Sequence, residues 1–363
     1  MRVVIVGMGG VQRVFRQWPE RVLGRALVER GHSVASVGYH DSRQPALAAP
    51  RERVDGIAVR RVPVRHLPNG MLYRALDAAG PVDVMHLMHP RNVLAYGATR
   101  WARRRGVPTV FTWLGPFHDR YLIDDRERPY DETPKYERVV WSAREVARRS
   151  VRDGRLRDHL RNYWLHWPLR AADALLPCSH HEAEVLRRMG LRQPMEVVPL
   201  WIDAEAIRST PCDDSPTGDG GPRLLFIGQL TPRKGYDLLV HALPLVLRRH
   251  PSTTVQVVSG LNPADRATME AMARAEGVAE RIVFLGRVDD ARLVNLFRTA
   301  DLYITPTRYE GFGLTLLEAM AAGCPVVTTD IPVVNEIVRH GENGWLTPYG
   351  DAAALADAIV RLL

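Results

Sequence analysis

Residues 310–327 read EGFGLTLLEAMAAGCPVV, and they give the clearest local indication of the fold class. Its glycines indicate a loop, the run of leucines and alanines a helix, Gly323 with Pro325 a turn, and Val326 a buried strand. A helix that leads through a short turn into an apolar strand is the repeating unit of an α/β fold with a parallel sheet. The glycines also leave backbone N–H groups open at the helix start, which predicts an anion-binding site there.

Two carboxylates flank this predicted helix start. Glu310 lies in the loop and Glu318 lies eight residues further on, about two helical turns away. The two side chains therefore address different parts of one extended ligand. A carboxylate accepts paired hydrogen bonds from vicinal hydroxyls, so a ribose or a hexose is a suitable ligand. An amphipathic helix alone does not explain a glutamate placed between leucines and alanines.

Short apolar runs alternate with helix-length segments on both sides of this stretch, which predicts parallel sheets covered on both faces. Strands are expected at residues 3–6, 34–38, 57–62, 82–87, 109–112, 174–176, 196–199, 224–227, 254–258, 282–285, 302–305 and 326–328. Helices are expected at residues 19–30, 92–105, 237–249, 264–276 and 351–363.

A polar stretch rich in Pro and Gly interrupts the alternation at residues 209–222. We therefore predict an N-terminal Rossmann-like domain at 1–200, a linker at 201–222 and a C-terminal Rossmann-like domain at 223–363. The cleft between two such domains is the expected ligand site.

Adjacent cations follow the first strand of the second domain. The loop after that strand begins at Gly228 and carries Arg233 and Lys234 just before a helix. Together they could neutralise a diphosphate, Arg as a planar fork and Lys as a compact charge. The chain has 47 Arg and two Lys, so a lysine kept at this position favours a specific role over a plain surface loop.

A glycine-rich turn, Gly7-Met8-Gly9-Gly10, follows the first strand of the chain. Glycines there let the backbone approach a ligand, and the next helix offers free N–H groups to an anion. The turn lacks the full G-x-G-x-x-G spacing of dinucleotide binding, so a tight strand–helix turn is an equally good interpretation.

Positive charge is concentrated in the first half of the chain. Residues 1–200 hold 34 basic and 21 acidic residues, whereas residues 201–363 hold 15 and 20. The segment 138–170 is the most basic, with apolar residues at helical spacing and with Trp164 and Trp167. It could be a pair of domain helices with a solvated basic face. It could also be an interfacial helix whose arginines, Arg148 and Arg149 among them, contact an anionic membrane surface.

Composition excludes several protein classes. No apolar run reaches the ~20 residues of a membrane span, and the N-terminal run is too short for a secretory signal. The three cysteines show neither a metal pattern nor a disulfide framework, and no Asp-x-Asp metal motif occurs. We therefore expect a cytoplasmic protein, free or peripheral at the inner face of the membrane, without a metal or cofactor.

The stretch 310–327 resembles the retaining glycosyltransferases of family four, which have the GT-B fold, and the resemblance extends over nearly the whole chain. Its C-terminal motifs are specific and its N-terminal ones loose. Besides the motifs above, it rests on Pro306-Thr307, Glu336-Ile337-Val338, Gly341, Asn343-Gly344, Asp83 to His86, Thr112, Gly115-Pro116-Phe117, Ala172-Asp173, Ser179, Pro199 and Asp203.

The resemblance implies a role for each candidate residue. Arg233 and Lys234 would hold the donor diphosphate, and Glu318 the nucleotide ribose. Glu310 would hold the transferred sugar, together with the N–H groups of Gly311, Phe312, Gly313 and Leu314. Gly228 opens the loop that carries the two cations, and Gly9 and Gly10 would close over the phosphates from the other domain.

Three features depart from the family pattern. Leu114 stands where the family often has a histidine near the transferred sugar, which suggests a donor such as a deoxysugar, unless His118 or a water takes that place. Leu200-Trp201 replaces the usual Asn-Gly after Pro199. Family members also often add a last helix beyond the position of Leu363, and the sequence leaves open whether this protein has it.

We therefore expect a metal-independent retaining glycosyltransferase, with Arg233, Lys234 and Glu310 as the catalytic residues. The donor would be a UDP-, GDP- or other nucleotide diphosphate sugar, and the acceptor a glycolipid, a polysaccharide or a small metabolite. One alternative is a nucleotide-sugar isomerase or epimerase on the same architecture. Another is a non-catalytic module that binds an anionic membrane; the basic residues lack the interleaved aromatics expected for nucleic acid.

Overall fold

The computed structural model describes residues 1–13, 17–42, 44, 47–63, 70–88, 92–113, 142–211, 220–230, 232–260 and 263–363. These residues form two compact units, of which the first ends at Ile202 and the second begins at Asp203. Each unit is an α/β domain built on its own sheet.

The first unit contains a seven-stranded sheet of order β3-β4-β2-β1-β5-β6-β7. Its strands are β1 (Arg2–Val6), β2 (Ser33–His40), β3 (Arg51–Val54), β4 (Ile57–Pro63), β5 (Val84–Met88), β6 (Thr109–Thr112) and β7 (Ala174–Leu176). Its helices are α1 (Pro19–Glu29), α2 (Gly70–Asp77), α3 (Val93–Arg105), α4 (Ala143–Asp153), α5 (Leu156–Ala171) and α6 (His180–Arg188).

The second unit contains a six-stranded sheet of order β10-β9-β8-β11-β12-β13, and all its pairs are parallel. Its strands are β8 (Arg223–Ile227), β9 (Thr254–Val258), β10 (Ile282–Gly286), β11 (Leu302–Thr305), β12 (Val326–Thr329) and β13 (Trp345–Thr347). Its helices are α7 (Ala204–Arg208), α8 (Tyr236–Leu247), α9 (Pro263–Ala275), α10 (Asp290–Thr299), α11 (Leu314–Ala321), α12 (Pro332–Asn335) and α13 (Ala352–Leu362).

Strand β8 shows why this sheet needs a helical layer on each face. Leu224 and Phe226 enter one apolar core with residues of α8 and α13, whereas Leu225 enters another with residues of α10 and α11. Successive strand residues point to opposite faces, so a strand that is apolar throughout must be covered on both.

Most predicted elements are present within one or two residues of their expected bounds. The strand predicted at 196–199 is wrong: the chain there runs beside β7, with an isolated bridge between Leu175 and Met195 in place of a regular ladder. The predicted parallel sheet is confirmed for the first unit, with one antiparallel pair at its edge, where β3 runs antiparallel to β4. The charged residues of β3 gave no apolar signal.

The segment predicted as the linker, 201–222, contains helix α7 in its described part. Asp203 caps this helix by accepting a hydrogen bond from the N–H of Ala206 at 3.0 Å. At the other end, the Arg298 guanidinium of α10 donates to the carbonyl oxygens of Ile207, Arg208 and Thr210. Carbonyls at a helix C-terminus lack intrahelical donors, so a cation there fixes the helix in place.

Two polar contacts link neighbouring strands of the first unit. His86 of β5 lies 2.7 Å from the Thr112 hydroxyl of β6, and burial lowers the pKa of His86 to about 4. The imidazole is therefore neutral at pH 7. Asp173 accepts hydrogen bonds from both the N–H and the hydroxyl of Thr109, which aligns the starts of β6 and β7. None of the helices in the described ranges has the length and apolar character needed to cross a membrane.

We predict that Arg298→Ala loosens α7. The variant loses charge-assisted hydrogen bonds to backbone carbonyls, worth about 1.5–3 kcal/mol in total. Amide hydrogen exchange over residues 204–211 should accelerate more than elsewhere in the second unit. Arg292→Ala, at an exposed position of the same helix, is the matched control and should exchange like wild type. Equal exchange in the two variants would contradict the role given to Arg298.

Candidate functional site

The predicted site residues of the second unit gather at the point where the strand order of its sheet reverses. Strand β8 pairs with β9 on one side and with β11 on the other, so the connections leaving β8 and β11 diverge. In open parallel sheets, ligands bind beyond the carboxyl ends of the strands at such a point. The loop after β8 carries Arg233 and Lys234, and the loop after β11 carries Glu310 and the glycines.

The two loops are in backbone contact at Gly235. This residue has φ +71°, and a Cβ atom on it would lie 1.8 Å from the Pro306 carbonyl oxygen. Only glycine fits a position that is both left-handed and this crowded. Gly228 is a second left-handed residue of the same loop, with φ +152°, and a Cβ atom there would meet the aliphatic stem of Lys234 at 3.5 Å.

Hydrogen bonds fasten the cationic turn, a short 3₁₀ helix at Pro232–Lys234, to the loop after β11. The Arg233 guanidinium donates to the Tyr309 carbonyl oxygen at 2.9 Å, and the Arg308 N–H donates to the Arg233 carbonyl oxygen at 2.8 Å. The Thr307 hydroxyl lies within hydrogen-bond distance of both carbonyl oxygens. Among the described residues, Arg233 uses one of its N–H donors in this way, which leaves the others for an anion.

Lys234 and Glu310 form an ion pair across the two loops. The Lys234 Nζ lies 2.6 Å from Glu310 Oε2, and the side chains are 13% and 16% exposed. Burial by itself raises the pKa of Glu310, but the charges of Lys234 and Arg233, with hydrogen bonds from Lys234 and from the Gly311 N–H, outweigh it and leave the pKa below its ordinary value. Glu310 is therefore an ionised hydrogen-bond acceptor.

A second ion pair, between Arg308 and Asp237, links the same two loops. The Arg308 guanidinium donates to both carboxylate oxygens of Asp237, at 2.6 and 2.5 Å. Asp237 is the second residue of α8, just after the cationic turn, and Arg308 lies two residues before Glu310. A bidentate Arg–carboxylate pair fixes orientation as well as distance.

The start of α11 supplies backbone donors. Gly313 precedes the helix with φ +105°, and no side chain caps it. Within the described part of the chain, no acceptor contacts the N–H groups of Gly313 and Leu314. Phe312 is buried beneath the loop, and Tyr303 of β11 donates a hydrogen bond to the Thr315 hydroxyl in the first turn. Open N–H groups with the positive end of the helix dipole form an anion-binding site.

Glu318 lies one turn into α11 and titrates near neutrality. Burial, with a smaller contribution from the Asp290 carboxylate at the start of α10, raises the pKa of Glu318 to about 7. No donor among the described residues contacts its carboxylate. A carboxylate of this kind gains hydrogen bonds when a ligand presents hydroxyl groups.

Gly9 and Gly10 lie in the first unit, in the loop after β1. Gly10 has φ +55°, and its backbone packs on Gly38 of β2 so closely that a Cβ atom on Gly38 would meet the Gly10 nitrogen at 3.0 Å. The Ser36 hydroxyl accepts a hydrogen bond from the Val11 N–H at 3.1 Å. The tight-turn interpretation thus has structural support, and contact of these glycines with phosphates stays a prediction.

Leu114, with the following Gly115-Pro116-Phe117 and His118, lies outside the described residues, as does most of the stretch 209–222. Sequence reasoning missed Asp237, Arg308 and Asp290 as parts of the site. The sequence held a signal for the first two, because each lies within three residues of a predicted ligand-binding residue of opposite charge: Asp237 near Lys234, and Arg308 near Glu310. Among the described residues, no group of His, Cys, Asp or Glu could hold a metal ion.

Family comparisons cover both units. Residues 9–201 match the family model described as "Glycosyl transferase 4-like domain", and residues 221–363 match "Glycosyl transferases group 1". The phosphatidyl-myo-inositol mannosyltransferase of Mycobacterium leprae is 40% identical over 173 residues, which are 46% of this chain and 43% of that protein. The D-inositol 3-phosphate glycosyltransferase of Nocardia farcinica is 38% identical over 207 residues, 53% and 45% of the two chains. The chain thus spans less than half the length of these relatives.

Solved structures share the fold at low sequence identity. A glycosyltransferase from Rickettsia africae superposes with a TM-score of 0.69 at 14% identity, covering 99% of this chain and 87% of that one. The Anabaena protein HepE, solved in complex with UDP-glucose, gives a TM-score of 0.66 at 18% identity, covering 99% and 89%. Both sheets, the glycine-marked loops and the two family models agree: the chain has the GT-B fold and belongs to the group 1 glycosyltransferases of family 4.

Proposed function

We propose that the protein transfers a sugar from a nucleotide diphosphate sugar to an acceptor hydroxyl, with retention of the anomeric configuration. The observation that carries this proposal is the junction of the two loops, where Arg233, Lys234 and the open N–H groups of α11 surround one ionised carboxylate, Glu310. Cations and amides suit a diphosphate, and the carboxylate suits sugar hydroxyls. HepE, a structural neighbour, was solved with UDP-glucose, which is in keeping with such a donor.

The leaving group would be stabilised by preorganised charge. In the reaction, the bond between the anomeric carbon and the diphosphate oxygen breaks, and negative charge grows on that oxygen. Arg233 and Lys234 are held by the loop contacts before any ligand arrives, so they can stabilise this charge without reorganising. In this proposal the two cations take the part that a divalent metal would otherwise play.

Glu310 would orient the sugar and would not attack it. Its carboxylate is engaged by Lys234 and by the Gly311 N–H, which lowers its nucleophilicity and directs its remaining lone pairs. Retention then follows if the acceptor oxygen bonds to the anomeric carbon on the face that the diphosphate leaves. The acceptor proton passes to the departing phosphate oxygen, so no protein base is required.

Glu318 would bind the ribose of the donor nucleotide. It lies one turn deeper in α11 than the N–H groups proposed for the diphosphate, in the order in which a nucleoside diphosphate presents these groups. The acceptor is a glycolipid, a polysaccharide or a small metabolite. The Mycobacterium leprae relative is named for transfer to phosphatidyl-myo-inositol, which favours the first of these.

Thermal shift with a panel of UDP- and GDP-sugars, followed by analysis of the released nucleotide, tests the proposal. A ligand at 100 times its dissociation constant stabilises the folded state by about 2.7 kcal/mol, which is readily measured. One class of nucleotide diphosphate sugar should raise the unfolding temperature and be consumed when an acceptor is present. Failure of the whole panel to bind would overturn the proposed donor.

We predict that Lys234→Ala lowers turnover about ten- to hundredfold, because it removes a charge-assisted hydrogen bond worth about 1.5–3 kcal/mol. It should also raise the pKa of Glu310, so the acid limb of the pH–activity profile should move to higher pH. Lys234→Arg is the matched variant: it keeps the charge, so the acid limb should stay near the wild-type position. Wild-type turnover in Lys234→Ala would remove this residue from the mechanism.

Nucleoside diphosphate affinity should depend on the charge of Glu318. Because its pKa is about 7 and ribose hydroxyls donate to the carboxylate, affinity should rise as pH increases from 6 to 8. Glu318→Gln should remove this rise. The phosphates of the ligand titrate in the same way in both measurements, so their effect cancels when the two proteins are compared. Asp290→Asn should move the rise to lower pH. Calorimetric titration at several pH values measures each case, and parallel profiles for wild type and Glu318→Gln would contradict the assignment.

The folded-state pKa of Glu318 lies above its unfolded value, so its contribution to stability has a defined sign. The contribution is fully present below the unfolded pKa of about 4.5 and is lost as pH rises through about 7. In the absence of nucleotide, the unfolding temperature of wild type should therefore fall relative to Glu318→Gln between pH 5 and pH 8.

The ion pair of Arg308 with Asp237 should position the ligand-binding loops without touching the donor. We predict that Asp237→Asn, which keeps the shape but loses the charge, lowers kcat more than it raises KM, because the ground-state contacts persist while the cations are less well fixed. A double-mutant cycle with Arg308→Gln should show a coupling of about 0.5–3 kcal/mol in kcat/KM. Additive effects would mean that the pair does not act as a unit.

A further inference from the structure

The exposed sides of helices α4 and α5 are basic and apolar at the same time. We call this surface the arginine face; it consists of Arg144, Arg148, Val151 and Arg152 on α4, and Leu156, Arg157 and Trp164 on α5. Val151 is 89% exposed, and Leu156 and Trp164 are each 51% exposed. Nine large hydrophobic residues are exposed in the described ranges, and three of them fall within residues 151–164.

The opposite sides of both helices are buried, so these apolar side chains do not serve the core of the first unit. On α4 the buried residues are Val146 and Arg149, and on α5 they include His159, Asn162 and His166. One interpretation of the sequence places both Arg148 and Arg149 against a membrane surface. For Arg149 this is wrong, because the residue is only 8% exposed and its Nε lies 2.8 Å from Glu145 Oε1.

The apolar side chains are surrounded by positive charge. Residues 143–161 contain seven arginines and three acidic residues. Glu145 is bonded by Arg148 and Arg149, and Asp153 is bonded by the Arg155 N–H and by His159. The third acidic residue, Asp158, is exposed, and so are Arg144, Arg152 and Arg157 on the same two helices, which leaves positive charge in excess. The field of this surface is therefore positive.

We propose that the arginine face binds an anionic lipid bilayer. Arginine forks bind lipid phosphates, and an exposed Trp with aliphatic neighbours fits the boundary between headgroups and acyl chains. Aliphatic side chains such as Val151 and Leu156 offer no surface for base stacking, which argues against nucleic acid. The inference does not depend on the proposed reaction, because the face lies on helices of the first unit and requires no donor.

Co-sedimentation of the full chain with vesicles tests this proposal. One set of vesicles is phosphatidylcholine alone, and the other contains equal amounts of phosphatidylcholine and phosphatidylglycerol. The protein should sediment with the anionic vesicles at low salt and be released towards an ionic strength of ~0.15 M and above, where screening is strong. It should not sediment with phosphatidylcholine alone.

The decisive variant is Arg144→Glu with Arg157→Glu. Each position lies in the first turn of its helix, where an acidic residue interacts favourably with the helix dipole, so loss of binding cannot be ascribed to unfolding. Vesicle affinity should fall about tenfold or more, since each basic residue near an anionic surface contributes appreciably. Trp164→Ala should weaken the part of the binding that resists salt.

A matched control carries the same change of charge elsewhere on the first unit. Arg51→Glu with Arg192→Glu alters exposed positions outside the helices, so the helix dipoles are unaffected, and vesicle affinity should stay within about twofold of wild type. The proposal is overturned if the chain does not bind anionic vesicles at low salt. Equal losses in the two double variants would overturn it as well, as would binding of single-stranded nucleic acid through this face without vesicle binding.

Discussion

The second unit depends on one steric constraint: the loops that leave β8 and β11 must pass each other in backbone contact at Gly235 and Pro306. Neighbouring parallel strands deliver both loops to the same edge of the sheet, and a residue without a side chain lets them touch. Every later feature of the site follows from this closeness. It brings the carbonyl of Arg233 to the Arg308 N–H, and it lets Lys234 reach Glu310.

That closeness also determines the electrostatics. Glu310 is a buried carboxylate that would be costly to ionise alone, and Lys234 is a cation with little access to water. Each charge lowers the free-energy cost of keeping the other side chain ionised in this partly buried site. Glu318 lies on α11, the helix that follows the glycine loop, and no cation lowers its pKa, so its proton is harder to remove. The pKa values of two glutamates eight residues apart thus shift in opposite directions, because only Glu310 faces the cationic turn.

The sequence was sufficient for most strands of both sheets and for the bounds of the helices it predicted. It also selected Arg233, Lys234 and Glu310, which the structure brings together, and their roles toward a ligand stay a prediction. Strong apolar periodicity and glycine-marked turns are local signals, and these elements carry them. It was insufficient where the signal is non-local. The antiparallel strand β3 is charged, and the segment 196–199 has a strand-like composition without a regular partner ladder. The Asp237–Arg308 pair joins residues 71 positions apart, which no single window of sequence shows. Among the alternative functions, membership in a transferase family favours transfer over isomerisation and over a module that only binds.

Helix α7 has a consequence for dissecting the protein. Composition places the start of the second domain after residue 222, and the group 1 family match also begins only at residue 221. Yet the Arg298 guanidinium is satisfied by carbonyls of residues 207–210, which lie upstream of both positions. A fragment cut at either position would leave a partly buried cation without its acceptors and would remove the helix that packs on α11. A second unit produced on its own would have to start at Asp203 to keep the helix that carries Glu318 supported.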